Sequence, residues 1–222
     1  MRRDVDIDEI SDGRRYSAED MVKISCNDCS GCSSCCHDTA DTIFLDPYDI
    51  YNLRLATGLD FMGLLNNEYI EMKVRDGMIY PKLKPTSSNK ACGFLSDQGR
   101  CKIHPYRPGI CRLFPMGRIY ENGSFSYFLQ VNECPHENKS KIKLKKWLGI
   151  PDLKKYESYI LAHHDFCRDI EEKIASLGAS GNADEAIKNL NLACLNLLYI
   201  KPYDSEDFYS DYYARLEALK TH

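Results

Sequence analysis

Five cysteines crowd into one short stretch of this sequence: Cys26, Cys29, Cys32, Cys35 and Cys36. In Cys29-x2-Cys32-x2-Cys35-Cys36 the two-residue spacings let a turning backbone aim successive thiolates at one ion or cluster. The run is too dense to be a packing motif. Cys92, Cys101, Cys111 and Cys134 follow at longer intervals, in turn- and proline-rich sequence. With Cys29, Cys32, Cys35 and Cys36 they form a set of candidate metal ligands. The set suffices for two four-thiolate sites suited to zinc or a [4Fe–4S] cluster, or for one cluster plus thiols with other roles. Adjacent Cys35 and Cys36 point apart on an extended backbone. The pair is therefore expected to be split between two centres, or between one centre and a non-ligand role.

Four thiolates around a divalent ion or a [4Fe–4S] core leave a site charge of about −2. Arg107 and Arg112 flank Cys111 in a loop stiffened by Pro105, Pro108 and Pro115. They are expected to be cofactor-binding, neutralising the centre and donating hydrogen bonds to sulfur. The plainer reading of both is a salt bridge to Asp or Glu that holds the loop. Cys167 and Cys194 fall in helical patterns and read as core thiols. Cys26 stays outside the ligand set. His37 and His104 read as neighbours of the site, since the thiols already suffice, and His163 and His164 receive no role.

The wider composition narrows the function. The chain has 222 residues, 43% hydrophobic and 28% charged, with a formal charge of −4. It can bury a core, and global disorder is excluded. The absence of a basic field predicts no nucleic-acid partner. No apolar run approaches about 18 residues, so no membrane partner is expected. The start, MRRDVDIDEI, lacks the apolar heart of a signal peptide. An odd total of 11 cysteines without such a signal argues against a complete disulfide framework and for a cytoplasmic, reducing location. There is no P-loop, no G-x-G-x-x-G and no H-E-x-x-H, which removes an ordinary Rossmann methyltransferase site.

Several elements must position the thiols. Asp46 as N-cap and Pro47 at the first helical position predict a helix to Thr57, stopped by Gly58, with a second short helix over 61–66. Asp76-Gly77 and Asn122-Gly123 predict hairpins joining 69–75 to 78–81 and 116–121 to 124–131. A third hairpin is expected where Cys92–Leu95 and Arg100–His104 flank a Ser-Asp-Gln-Gly turn. Ser17 to Asp20 reads as the cap of a short helix. The lysines Lys139, Lys141, Lys143, Lys145 and Lys146 alternate with apolar residues like a protected edge strand. Helices are predicted from Pro151 to about Ser176, then near 183–200 and 205–220, with a break at 178–181. The fold class is thus α+β: a small irregular cysteine-rich core with short hairpins, covered by N-terminal and C-terminal helices. The division is an arm at 1–25, a metal-binding core at 26–136 and a helical extension at 137–222 packed on it.

Taken together, Cys29-Ser-Gly-Cys-Ser-Ser-Cys-Cys36, Leu45-Asp-Pro-Tyr-Asp-Ile50, Cys92-Gly-Phe-Leu95, Gly99-Arg-Cys-Lys-Ile-His-Pro-Tyr-Arg-Pro-Gly-Ile-Cys-Arg-Leu-Phe-Pro115 and Glu133-Cys-Pro135 resemble the cysteine-cluster family of zinc- or iron-chelating proteins. That family includes the flagellin lysine N-methylases. Order and spacing agree over roughly residues 20–136, and Tyr203-Asp-Ser-Glu-Asp-Phe-Tyr209 in the tail is similar too. The resemblance implies metal ions as partners. It further implies an iron–sulfur cluster supporting transfer of a methyl group from S-adenosylmethionine to a lysine of a protein substrate. The alternative is a zinc-stabilised binding module without catalysis; metal buffering or delivery ranks third.

Overall fold

A computed structural model describes residues 6–25, 32–38, 40–86, 90–179, 183–203 and 206–220. The fold is α+β. In chain order its elements are α1 (Ile7–Ile10), β1 (Met21–Ser25), α2 (Ser34–Asp38), α3 (Pro47–Thr57), α4 (Phe61–Asn66), β2 (Ile70–Arg75), β3 (Met78–Leu83), α5 (Gly109–Leu113), β4 (Met116–Glu121) and β5 (Ser124–Leu129). These are followed by β6 (Ser140–Lys143), α6 (Leu144–Leu148), α7 (Leu153–Ala179), α8 (Asp184–Leu195) and α9 (Phe208–Lys220). Among the described residues the strands form three antiparallel pairs, β1 with β6, β2 with β3 and β4 with β5.

Local chemistry sets the helix that organises the centre. Asp46 accepts the Asp49 N–H at 2.9 Å, and the Asp49 carboxylate accepts the Asp46 N–H at 3.1 Å, a reciprocal capping box ahead of Pro47. Gly58, at φ 71°, ends α3 in the left-handed region. The two tight hairpins turn through Asp76-Gly77 (φ 49° and 79°) and Asn122-Gly123 (φ 52° and 68°). Positive φ at both central residues matches the strand twist. The first turn is pinned to the tail, because Asn191 of α8 donates to the Gly77 carbonyl at 3.0 Å and accepts the Ile79 N–H at 2.8 Å. A Cβ at Gly77 would also collide with Ile174 of α7.

One hydrophobic core joins the two halves. The inner face of α7 buries Tyr156, Tyr159, Ile160, His163, Phe166, Ile170 and Ile174, a spacing of three and four that suits a helix. It meets Phe208, Tyr212 and Leu216 of α9 and Ile50 and Leu53 of α3. Buried Arg215 satisfies the carbonyls at the end of the α8 segment: Leu197 at 2.7 Å, Lys201 at 2.8 Å and Pro202. It also pairs with Asp211 at 2.7 Å.

Several expectations change in detail. Ser17 to Asp20 closes a turn, with the Ser17 N–H on the Asp20 carboxylate at 2.7 Å, and leads into β1 instead of a helix. Within the Cys92–His104 segment a single bridge forms, Leu95 opposite Cys101, while Cys92 bridges outward to Pro85, and there is not a pair of strands. A 3₁₀ turn over His104–Tyr106, opened by Pro105, ends the extended backbone early. The lysine run is strand only over Ser140–Lys143. Leu144 then starts α6, which buries Leu144, Trp147 and Leu148. α7 continues through Gly178 to Ala179, past the expected stop at Ser176. Past α8, Asn196–Ile200 forms a single π-helical turn.

Candidate metal centre

Three separate pieces of chain bring thiols to one cavity. Cys35 and Cys36 sit on α2, whose backbone is tied to the next piece by the Cys92 N–H on the Cys36 carbonyl at 2.7 Å. Cys92 and Cys101 lie on either side of a compact loop. It is closed by Lys102 N–H to the Phe94 carbonyl at 2.8 Å and Ser96 N–H to the Arg100 carbonyl at 2.8 Å. Phe94 stacks on Tyr69, with centroids 4.5 Å apart, so the loop is anchored on the core. Cys111 is carried by α5. The first N–H of that helix, Gly109, donates to the buried Asp49 carboxylate at 2.7 Å. A Cβ at position 109 would run into the Tyr156 hydroxyl, so only glycine allows this approach.

The cavity between these pieces measures about 270 Å³, against the roughly 10–15 Å³ that admits one water. Cys32, Cys35, Cys36, Cys92, Cys101 and Cys111 all line it. Each of Cys35, Cys92, Cys101 and Cys111 lies within electrostatic reach of the other three. Burial pushes the thiols of Cys92, Cys101 and Cys111 upward, and nearby thiolates add to it. Cys35 goes the other way, lowered by its hydrogen bond with Cys36 and by the nearby Arg107 charge. Cys36 is correspondingly raised by that hydrogen bond to Cys35 and by burial. The adjacent pair is therefore strongly interacting, with Cys35 shifted down and Cys36 up.

The two arginines differ. Arg107 lines the cavity; its Nη1 meets His104 Nε2 at 2.6 Å, and its Nε is buried with no acceptor. Arg112 spends its guanidinium on backbone instead. It donates to the Arg107 carbonyl at 3.1 Å, to Gly149 at 3.5 Å and to Pro105. It clamps the proline loop through carbonyls, where a cluster contact or a carboxylate salt bridge was expected. Spacing alone could not separate two arginines on opposite sides of Cys111.

Other candidates fall elsewhere. Cys26 and Cys29 lie outside the described residues. Cys134 is half-buried but absent from the cavity wall, and its carbonyl accepts Lys139 Nζ at 2.9 Å. His37 Nε2 meets Ser33 Oγ at 3.3 Å, whereas His104 reaches the cavity. Cys194 is buried in the core, and Cys167 packs against it. Every described cysteine is a free thiol.

The donor set fits a soft metal. Thiolates suit zinc and iron–sulfur clusters, and a bound cation turns the mutual repulsion of these sulfurs into attraction. Among the described residues, no three Cys, His, Asp or Glu side chains already converge to hold one ion; the thiols stand around the space. A family model named CxxCxxCC, described as "Putative zinc- or iron-chelating domain", matches residues 28–146. The chain belongs to this family. As a CxxCxxCC protein it is a metal-binding protein whose matched segment contains every thiol of the cavity. No curated protein and no solved structure matches the chain. Among the described residues no helix is long and apolar enough to cross a membrane.

Proposed function

We propose that the cavity holds a [4Fe–4S] cluster ligated by Cys35, Cys92, Cys101 and Cys111. The observation that carries this reading is the convergence of thiols from three chain segments on a cavity far larger than a single ion. Cys36 stands beside Cys35 in the cavity lining, and Arg107 offsets the negative charge of the site. Cys32 stands at the same wall with its Sγ 3.7 Å from Ser34 Oγ. The segment 26–136 is the metal-holding core in this reading, with the arm at 1–25 and the extension at 137–222 supporting it in a reducing, cytoplasmic setting.

Anaerobic purification followed by metal and sulfide analysis is the test. About four iron and four sulfide per chain are expected, with absorption near 400 nm. Zinc without sulfide overturns the cluster and leaves the zinc-stabilised binding module. The resemblance to the flagellin lysine N-methylases adds an activity, methyl transfer from S-adenosylmethionine to a protein lysine. Saturable, cluster-dependent binding of the methyl donor supports it, and absence of binding to intact loaded protein removes it.

A further inference from the structure

A second cavity of about 150 Å³ lies on the other side of Ile110, Arg118 and Tyr120, which also line the cysteine cavity. It contains a cation and a carboxylate that do not meet. Arg118 of β4 extends among aromatic rings, its Cζ 5.6 Å from the Tyr156 centroid, 5.7 Å from Phe125 and 5.8 Å from Tyr127. Its Nη2 reaches the Tyr156 hydroxyl only at 3.4 Å, and its Nε is buried with no acceptor. A guanidinium offers five donors in a fork matched to a carboxylate; this one meets the hydroxyls of Tyr120, Tyr127 and Tyr156 and leaves Nε without an acceptor.

Opposite it stands Asp46. Asp46 accepts the Asp49 N–H at 2.9 Å and the Tyr159 hydroxyl at 3.0 Å, both on Oδ1, and the Tyr48 N–H also bears on its carboxylate. Asp46 and Arg118 feel each other's charge, yet among the described residues no ion pair closes between them. The other arginines at this cavity are engaged elsewhere: Arg75 with Asp76 at 3.3 Å, and Arg168 with Asp165 at 3.5 Å and Asp169 at 3.2 Å. Leaving opposite charges apart in the interior is costly unless something bridges them. A bridging group needs an acceptor pair for the guanidinium and a donor for the carboxylate, within a small volume.

We propose that this second cavity binds an α-amino acid group, Arg118 taking its carboxylate and Asp46 taking its ammonium. The class covers a free small amino acid and the amino-acid head of a larger molecule. Both have the same two-ended chemistry. His164, its ring stacked on Tyr120 with centroids 3.7 Å apart, lines the same cavity.

The test uses the full chain with its metal content measured first. L-Alanine is titrated by calorimetry and by ligand-observed NMR, with acetate and methylammonium at equal ionic strength as half-ligands. Saturable alanine binding is expected, with each half-ligand about tenfold or more weaker. Arg118→Gln and Asp46→Asn should each weaken alanine about tenfold or more. Asn caps a helix about as well as Asp, so Asp46→Asn keeps the test valid even if the arginine variant fails to fold. If alanine fails while longer α-amino acids bind with the same dependence on Arg118 and Asp46, the ligand is the head of a larger molecule. No saturable binding of any amino acid overturns the proposal. So does acetate binding as tightly as alanine, or alanine affinity unchanged in Asp46→Asn. Failure here in protein that retains its metal leaves the cysteine centre standing, and alanine binding by metal-free protein separates the two in the other direction.

Discussion

The same side chain behaves oppositely in the two halves of the molecule. Cys35, on a five-residue helix that lines a cavity, is brought down. Cys167, on the long α7, is pushed up to about 12, and Cys194 on α8 to about 11. Burial acts on all three, so burial alone does not decide the direction of the shift. Cys35 shares a hydrogen bond with Cys36 and lies in the field of Arg107, whereas Cys167 sits 3.6 Å from a neutral, buried His163. Turn-rich chain can bend several donors toward one point; a straight helix presents one thiol per turn to a packed interior. The chemistry therefore collects where regular structure is sparse, and the helices supply the rigidity behind it.

Metal content breaks or sharpens this contrast most directly. Cys92→Ser and Cys101→Ser should lose most of the bound metal by elemental analysis, while Cys167→Ser and Cys194→Ala should keep all of it. Equal losses in both groups would erase the distinction between the halves. Next in size is the core beneath the site: Leu53, fully buried on α3, should cost about 2–5 kcal/mol on replacement by Ala. Chemical denaturation measures that cost, and metal per folded chain should stay unchanged.

His163 gives a smaller, pH-dependent effect. Burial lowers it to about 3 from an ordinary value near 6.5, and its Nδ1 faces the Tyr212 hydroxyl at 2.9 Å. The unfolded chain therefore takes up a proton that the folded chain refuses. The stability this gives is full above about 6.5 and drains away as pH falls toward about 3. His163→Asn should flatten that slope in denaturation curves collected from pH 7 to pH 4. The smallest change expected is at the α3 cap. Asp46→Ala should cost about 0.5–2 kcal/mol and Asp46→Asn close to nothing in thermal unfolding.

Legibility in the sequence followed the range of the interactions. Asp46, Pro47 and Gly58 announced α3 because a helix's start and stop are written in adjacent residues. Asp76-Gly77 and Asn122-Gly123 announced their hairpins for the same reason. The thiol spacing pointed to a centre, and the structure gathers Cys32, Cys35, Cys36, Cys92, Cys101 and Cys111 at one wall. It could not give direction, so Cys134 and Arg112 looked equivalent to residues that do face the cavity. The second cavity left no trace. Its carboxylate and the hydroxyl that holds it, Asp46 and Tyr159, are 113 positions apart, and Arg118 is a lone arginine within a strand. An arginine among apolar strand neighbours was the one available hint, and it is weak without a partner in view.

The pairing of β1 with β6 has a consequence for how this segment is carried. Ser25 lies opposite Ser140, so the chain enters the cysteine-bearing stretch and leaves it at neighbouring points. In sequence, the family match, residues 28–146, begins three positions after Ser25 and ends six after Ser140. A unit whose doorway and exit adjoin can be set into a host chain at one seam, with nothing rethreaded.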